Sequence, residues 1–354
     1  QPRSRGLGDV YKRQEGQIAK KIASEMKKNN GLITEDDLKK YNPIWRKPLI
    51  SNYRDTQIIT MGPPSSGGLH VIQMLNIVEN YDLKNIGHNS TNYINLLAEV
   101  MKYAYSDRSK YLGDPDFYDV PVEKIISKEY AAEINNNIDI GQSTPVDDIY
   151  PGKFLDRESH ETTHFSVVDK EGNVVSMTYT LNSTFGSKVV IKGTGILMNN
   201  EMDDFSAAPG VPNQFNLLGA DANAIAPYKR PLSSMTPTIV LKNNELFFTT
   251  GSPGGARIIS AVFQSILNII DFKMNLEEAT LAKRLHHQWY PDMLEFEFSI
   301  DEKINDELTK MNYITRTTLP LTCLQTIMFI EDTYYGYGDF RRVDALASGN
   351  INVR

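Results

Sequence analysis

The stretch ETTHFSVVDKEGNVVSMTYT (residues 161–180) carries the alternation of apolar and polar residues that decides the local fold. Two alternating runs, THFSVV (163–168) and VVSMTYT (174–180), flank the segment DKEG (169–172), which is typical of a turn. The pattern predicts a β-hairpin with a loop of about four or five residues centred on positions 170 and 171. We take this hairpin as the starting point for the rest of the chain.

The predicted hairpin brings two threonines together at its open end. Tyr179 or Thr180 would lie opposite Thr162, where opposing side chains are about 5 Å apart. A threonine hydroxyl is a weak nucleophile, but cleavage between Glu161 and Thr162 would create an α-amine beside it that can accept its proton. Thr180 would then orient the hydroxyl. The alternative is a purely structural pair, because threonine is favoured in strands for steric reasons.

Composition excludes several classes of protein. The 354 residues are enough for a substantial core, in two domains or in one large α/β unit. The net charge of −7 and the lack of a basic, aromatic-rich cluster argue against a nucleic-acid partner. No apolar run is long enough to span a bilayer. The single cysteine, Cys323, excludes an intrachain disulfide and is expected to be a buried, inert thiol.

Periodicity predicts further elements along the chain. We expect a capped short helix after Thr34, and an exposed, cleavable linker before Thr162. Residues 195–205 should pass from a strand into an acidic turn, and residues 207–231 are a candidate lid or binding loop. Helices are expected over Glu15–Lys28, Leu69–Val78, Leu96–Tyr111 and around Ile258–Ile270, and strands over Tyr53–Met61 and Glu245–Thr250.

Two glycine-rich turns each follow a predicted strand and precede a predicted helix. The first, GPPSSGG (62–68), lacks the lysine of a P-loop and is interpreted as a packing turn. The second, GSPGG (251–255), would point backbone N–H groups outward, which suits an anion or a developing oxyanion, although a tight turn is the simpler alternative. The adjacent His286 and His287 lack metal-ligand spacing and are expected to pack near Trp289.

Five motifs in order resemble the γ-glutamyltransferase (γ-glutamyl transpeptidase) family, from about Gly16 to the end of the chain. They are TTHFSVVDK (162–170), TYTLN (178–182), NNEMDDFS (199–206), RPLSSM (230–235) and GSPGG (251–255). The resemblance implies the N-terminal-nucleophile hydrolase fold, a four-layer αββα sandwich. It also implies one precursor that cuts itself into a large and a small subunit.

The resemblance also implies a role for each matched residue. Thr162 would be the nucleophile and Thr180 its hydroxyl partner, with the cut between Glu161 and Thr162. The remaining roles are glutamyl end-group contacts at Asn182, ammonium binding at Glu201 and Asp204, α-carboxylate binding at Ser233 and Ser234, and an oxyanion hole at Gly254 and Gly255.

The implied reaction is γ-glutamyl transfer from glutathione or other γ-glutamyl compounds to water, an amino acid or a dipeptide, with no metal or organic cofactor. Residues 1–14 would be a non-native start, 15–161 the end of the large subunit, and 162–354 the small subunit. Family members are usually periplasmic or secreted. The carboxylate-binding arginine of the family is expected in sequence that precedes this chain, and Phe215 replaces a lid tyrosine.

Two alternatives remain beside this hypothesis. A sister acylase of the same fold would cleave a glutaryl amide or poly-γ-glutamate, but Glu201 and Asp204 weigh against a glutaryl group, which carries no ammonium. The second alternative is that the chain is an inert precursor fragment, which has the motifs but no complete pocket.

Overall fold

The computed structural model describes residues 13–149, 162–208, 210–214, 216–343 and 345–349. The helices are α1 (Gln17–Lys28), α2 (Glu35–Lys40), α3 (Gly67–Val78), α4 (Leu83–Ile86), α5 (Thr91–Tyr111), α6 (Val122–Ile125), α7 (Lys128–Asn135), α8 (Arg257–Ile270), α9 (Leu276–Leu281) and α10 (Glu302–Lys310). Short 3₁₀ turns cover Glu201–Asp204 and Asp221–Asn223. The strands are β1 (Leu49–Tyr53), β2 (Thr56–Thr60), β3 (Thr163–Val168), β4 (Val174–Tyr179), β5 (Thr238–Lys242), β6 (Glu245–Thr250), β7 (Leu285–His286), β8 (Leu294–Phe296), β9 (Thr315–Thr317), β10 (Gln325–Ile330) and β11 (Thr333–Gly338).

A six-stranded antiparallel sheet in the order β1-β2-β5-β6-β10-β11 forms the centre of the molecule. Helix α3 packs against α5, α7 and α8 and also against β1 and β2. Apolar side chains from these helices and from Val240, Phe248 and Met328 of the sheet share one core. The hairpin β3–β4 is a separate two-stranded sheet that packs against β5, β6 and β10. This layered packing of helices and sheets confirms the predicted α/β sandwich class.

The predicted helices and the strand Glu245–Thr250 are confirmed. The boundaries shift by a few residues, and the capping box at Thr34 and Asp37 is present. The predicted strand over Tyr53–Met61 was wrong at its start, because Arg54 and Asp55 form the turn between β1 and β2. The strand predicted at the start of residues 195–205 was also wrong, because the described residues there form no strand and Leu197 makes an isolated bridge with Val190.

The hairpin at residues 163–179 has the predicted register and an unexpected burial pattern. Thr163 pairs with Tyr179 and Val168 with Val174, so five residues (169–173) connect the strands, as expected. The polar side of β3 is turned inward: His164 is 4% exposed, whereas Phe165 and Val167 are 44% and 50% exposed. The inward face of the hairpin therefore presents hydroxyl and imidazole groups to the sheet.

Other predictions concern single features. Cys323 is buried and free, and burial raises the pKa of its thiol, as expected for an inert cysteine. His286 hydrogen-bonds Ser260 and Gln288, and the described part of the chain contains no cluster of residues suited to a metal. Among the described helices, none is long and apolar enough to cross a membrane. The predicted linker over residues 153–161 lies outside the described residues.

Candidate active site

One cleft is lined by most of the residues that the motifs singled out. It is lined by residues from the open end of the hairpin, the acidic 3₁₀ turn, the serine pair and the start of helix α8. The lining residues are Arg108, Thr162, Thr180, Asn182, Asp204, Leu217, Leu232, Ser233, Ser234, Met235, Gly255, Ala256 and Ile258. Two of the residues predicted for the site, Glu201 and Gly254, stand beside the cleft rather than on its wall.

Thr162 and Thr180 meet at this cleft because of the hairpin register. The ladder ends at the pair Thr163–Tyr179, so the next residues along the two strands are Thr162 and Thr180. Thr162 is 8% exposed, and its carbonyl oxygen accepts a hydrogen bond of 3.0 Å from Arg342 Nη1. Burial and this hydrogen bond hold the backbone of Thr162 at the cleft wall.

The chain after Thr180 is held in a tight local structure. Thr180 Oγ1 accepts a hydrogen bond of 2.8 Å from the backbone N–H of Asn182. Asn182 is buried with φ of +72°, a conformation that asparagine tolerates better than most residues, and its side-chain amide donates to the Asn200 carbonyl at 3.1 Å. Asn182 therefore links the hairpin end to the segment that leads into the acidic turn.

Glu201 and Asp204 form a pair of neighbouring carboxyl groups joined by a side-chain hydrogen bond. Burial, followed by the charge of Glu201 and a hydrogen bond from it, raises the pKa of Asp204 well above its usual value. Burial also raises the pKa of Glu201. Glu201 Oε1 is buried and has no hydrogen-bond partner among the described residues. Two such groups suit a cationic ligand, because an added positive charge would allow both to ionise.

The serine pair is held in place by the first glycine-rich turn. Ser233 forms a parallel bridge with Ser65, and both the N–H and the hydroxyl of Ser66 donate to the Ser233 carbonyl, at 2.9 and 2.8 Å. The Ser65 hydroxyl donates to the Met235 carbonyl at 2.6 Å. The turn at residues 62–68 thus packs against the serine segment, as predicted, and thereby positions one wall of the cleft.

The second glycine-rich turn presents backbone N–H groups at the start of α8. Gly254 and Gly255 have φ of +133° and +55°, and the helix begins at Arg257. Within the described residues, the N–H groups of Gly254, Gly255 and Ala256 donate no hydrogen bond. Gly255 lines the cleft, whereas Gly254 packs against Thr322. Unpaired donors at a helix N-terminus favour an anionic oxygen at this wall.

Comparison with known proteins agrees with this geometry. The sequence profile of the family described as gamma-glutamyltranspeptidase matches residues 3–349. The chain belongs to the gamma-glutamyltranspeptidase family. It is 50% identical to the glutathione hydrolase proenzyme of Escherichia coli strain K12 over 347 residues, which covers 97% of this chain and 59% of that protein.

Two solved structures extend the family comparison. A cephalosporin acylase from Bacillus halodurans has a TM-score of 0.81 and 27% identity, over 96% of this chain and 60% of the acylase chain. A gamma-glutamyltranspeptidase from Pseudomonas nitroreducens, complexed with L-DON, has a TM-score of 0.52 and 44% identity, over 53% of this chain and 100% of that chain. These neighbours confirm the predicted N-terminal-nucleophile hydrolase fold. The chain spans about three fifths of the length of the proenzyme and of the acylase.

Sequence reasoning missed two arginines at the site of this family member. Arg342 holds the Thr162 carbonyl, and Arg108 lines the cleft beside Ser234. Arg108 could have been found from the stripe of Met101, Ala104 and Tyr105, because an arginine that continues a buried helical stripe needs a polar partner. Burial lowers the pKa of Arg108 to about 10, which leaves the guanidinium charged at neutral pH.

His164 is a buried residue of the hairpin that hydrogen-bonds neighbouring hydroxyl groups. Its Nδ1 pairs with Thr178 Oγ1 at 2.9 Å, and its Nε2 pairs with Ser166 Oγ at 3.2 Å. Burial lowers the pKa of the imidazole to about 4, so it is neutral at physiological pH. Phe215 and Glu161 lie outside the described residues, as do parts of the candidate lid.

Proposed function

We propose that this chain carries the catalytic machinery of a γ-glutamyl transferase and hydrolase that acts through Thr162. The observation that supports it best is the hairpin register, which places Thr162 and Thr180 together at a cleft shared with the serine pair and Asp204. Family membership and the proenzyme name of the Escherichia coli relative support the same assignment.

The proposed maturation step is hydrolysis of the peptide bond between Glu161 and Thr162. One water is consumed, Glu161 gains a carboxylate, and Thr162 gains a free α-amine. The hydroxyl of Thr180 orients Thr162 Oγ1 for both maturation and catalysis. Residues 15–161 then belong to the large subunit and 162–354 to the small subunit, both from one precursor.

In the proposed reaction, Thr162 Oγ1 attacks the γ-amide carbonyl carbon of glutathione or a related γ-glutamyl compound. The α-amine of Thr162 takes the hydroxyl proton and later gives it to the leaving amine as the C–N bond breaks. The N–H groups of Gly254 and Gly255 stabilise the oxyanion, and each such donor typically contributes about 3 kcal/mol. A γ-glutamyl ester on Thr162 results. Water converts this ester to glutamate, whereas an amino acid or dipeptide amine converts it to a new γ-glutamyl amide.

The substrate end groups fit the polar residues of the cleft. Glu201 and Asp204 would bind the α-ammonium. Its positive charge would favour ionisation of both carboxyl groups, whose pKa values are raised in its absence. Ser233 and Ser234 would donate to the α-carboxylate, and Asn182 would contact the glutamyl end groups. No step of this chemistry uses a metal or an organic cofactor.

The test uses the protein expressed from its complete gene, with a γ-glutamyl anilide as substrate. Thr162→Ala should abolish the cut between residues 161 and 162 in the mass spectrum and lower turnover by at least about 10⁴-fold. Thr163→Ala is the matched control, since Thr163 is exposed on the neighbouring position of the hairpin, and it should retain both. Cleavage and turnover in Thr162→Ala would contradict the assignment.

A second candidate is hydrolysis of a glutaryl amide. Structural similarity to the acylase from Bacillus halodurans, over 96% of this chain, supports this candidate. A glutaryl group has the carboxylate of a γ-glutamyl group but no ammonium, so it leaves Glu201 and Asp204 without a cation. Comparing kcat/KM for γ-glutamyl and glutaryl anilides separates the candidates. A preference for the glutaryl substrate would favour the acylase.

A further inference from the structure

Arg108 is a buried cation in direct contact with the serine pair. It lies on α5, is 4% exposed, and lines the cleft together with Ser233 and Ser234. Its Nε donates to Ser66 Oγ at 2.9 Å, and its Nη2 donates to Ser234 Oγ at 3.2 Å. One guanidinium therefore connects helix α5, the first glycine-rich turn and the serine pair.

The hydrogen bond from Arg108 leaves the proton of the Ser234 hydroxyl available for a different acceptor. A guanidinium can only donate hydrogen bonds, so Ser234 Oγ must be the acceptor in its contact with Arg108. Its own proton is left for another acceptor, and the described residues offer none within hydrogen-bond distance. Since Ser234 lines the cleft, its proton can be donated to water in the free protein and to a ligand atom that bears lone pairs, such as a carboxylate oxygen, when a ligand is bound.

Ser66 fixes the position of Arg108 by the same reasoning. Its hydroxyl oxygen accepts from Arg108 Nε and its proton is donated to the Ser233 carbonyl. Ser233 N–H in turn donates to the Pro64 carbonyl at 2.9 Å. The guanidinium and the serine segment are thus parts of one hydrogen-bonded unit, which limits how far Ser234 can move.

The charge of Arg108 complements that of the acidic pair. Its positive charge opposes the burial that raises the pKa of Asp204, and no salt-bridge partner is seen for Arg108 among the described residues. The cleft therefore contains the Arg108 guanidinium behind a donating hydroxyl, with the carboxyl group of Asp204 on its wall and that of Glu201 beside it. This pattern complements a zwitterionic α-amino acid group.

We propose that Arg108 is a positioning residue that orients Ser234 toward the α-carboxylate of the substrate, and that Ser66 holds Arg108 in that position. The inference rests on the proposed function and adds to it a residue that contributes to selectivity for the carboxylate through Ser234. Arg108 acts through Ser234 and does not itself react.

The test compares a γ-glutamyl anilide with a 4-aminobutyryl anilide, which keeps the amine and the scissile amide but lacks the α-carboxylate. In the protein expressed from its complete gene, Arg108→Met should lower kcat/KM for the γ-glutamyl substrate about 10- to 100-fold, mostly through KM. The value for the 4-aminobutyryl substrate should change less than about threefold. Ser234→Ala should reduce the same ratio, and the double variant should resemble Arg108→Met alone.

Three further variants separate positioning from structure. Arg54→Met is the matched control, because Arg54 pairs with Asp271 in a different surface cleft, and it should leave the substrate ratio unchanged. Arg108→Lys keeps the charge but not the two-pronged donor geometry, so part of the selectivity should return. Ser66→Ala makes a smaller change to the same unit, and it supplies the test if Arg108→Met fails to fold or to cleave.

The outcomes are distinct. Equal losses on both substrates in Arg108→Met, Arg108→Lys and Ser66→Ala would show a merely structural role and overturn the inference. Unchanged kcat/KM for both substrates in these variants would overturn it as well. A wild-type protein that hydrolyses neither anilide would instead contradict the proposed function, on which the inference depends.

Discussion

The two glycine-rich turns have the same order of strand, turn and buried helix, yet the protein uses them differently. In the first, at residues 62–68, a Cβ on Gly67 would lie 2.0 Å from Thr236 Oγ1, and one on Gly68 would lie 2.3 Å from the Met61 carbonyl. In the second, Gly255 lines the cleft, and the N–H groups around it are unpaired within the described residues. The first turn is closed by packing, and the second is open to a ligand.

The difference shows that a glycine-rich turn before a helix is not by itself a site. The helices that follow the two turns, α3 and α8, pack against each other, so both turns belong to the same region of the core. What separates the turns is whether another segment occupies the space in front of the N–H groups. The serine segment at residues 233–236 fills it for the first turn.

The largest effect is expected from Gly67→Ala, which tests whether the first turn is closed. The added methyl group would also lie 2.7 and 2.8 Å from the carbonyl oxygens of Met235 and Ser234, which are backbone atoms that cannot move independently. We expect a loss of about 2–3 kcal/mol in the free energy of unfolding, measured by urea denaturation. Gly349→Ala is the control, because a Cβ there meets no described atom within 4 Å. Equal stability of the two variants would show that the first turn is not closed.

The next effect tests the same contrast in side chains, by comparing Asp204, which has no positively charged hydrogen-bond partner among the described residues, with Asp114, which has one. Because the pKa of Asp204 is raised on folding, its protonated form stabilises the fold, and this contribution is lost as the pH rises through the raised pKa. At neutral pH the pair therefore destabilises the fold. Asp204→Asn should raise the free energy of unfolding at pH 7 by about 1–2 kcal/mol, with a smaller gain near pH 4, and it should lower turnover of the γ-glutamyl anilide.

Asp114→Asn provides the opposite case for that experiment. Asp114 is fully buried and accepts hydrogen bonds from Arg46 Nη2 and from the N–H groups of Arg230 and Asp116. Its replacement should destabilise the protein, because a charged partner and a satisfied acceptor are lost. If Asp204→Asn and Asp114→Asn destabilise the protein equally at neutral pH, the pair of Glu201 and Asp204 stabilises the fold and is not a binding site for a cation.

Sequence reasoning succeeded where local rules decide the structure. The hairpin register follows from two alternating runs and the length of the loop between them, and it placed Thr162 and Thr180 correctly at the same end. Helix α8 was found from the spacing of its isoleucines. The turn at Arg54 was missed because its φ of +51° is usually taken by glycine or asparagine, and neither is present at that turn.

Tertiary facts could not be predicted in the same way. The contact between Arg108 and Ser234 joins residues 126 positions apart, so it depends on the rotation of α5 relative to a distant loop. The exposure of Phe165 and Val167 depends on which side of the hairpin meets the sheet, and alternation alone does not choose a side. The closed state of the first turn likewise depends on the distant serine segment.

The smallest effect is expected from Gly255→Ala, which tests the open turn directly. Gly255 has φ of +55°, so the added Cβ costs about 1 kcal/mol in stability from backbone strain, less than the loss expected for Gly67→Ala. Gly255→Asn should cost less still, because asparagine tolerates this conformation better than alanine does. Both variants place a side chain at the cleft wall, so both should reduce kcat for the γ-glutamyl anilide more than their effect on urea denaturation suggests. If the loss of activity in the two variants followed only their loss of stability, the second turn would be a packing element like the first, and the oxyanion role of its N–H groups would have to be abandoned.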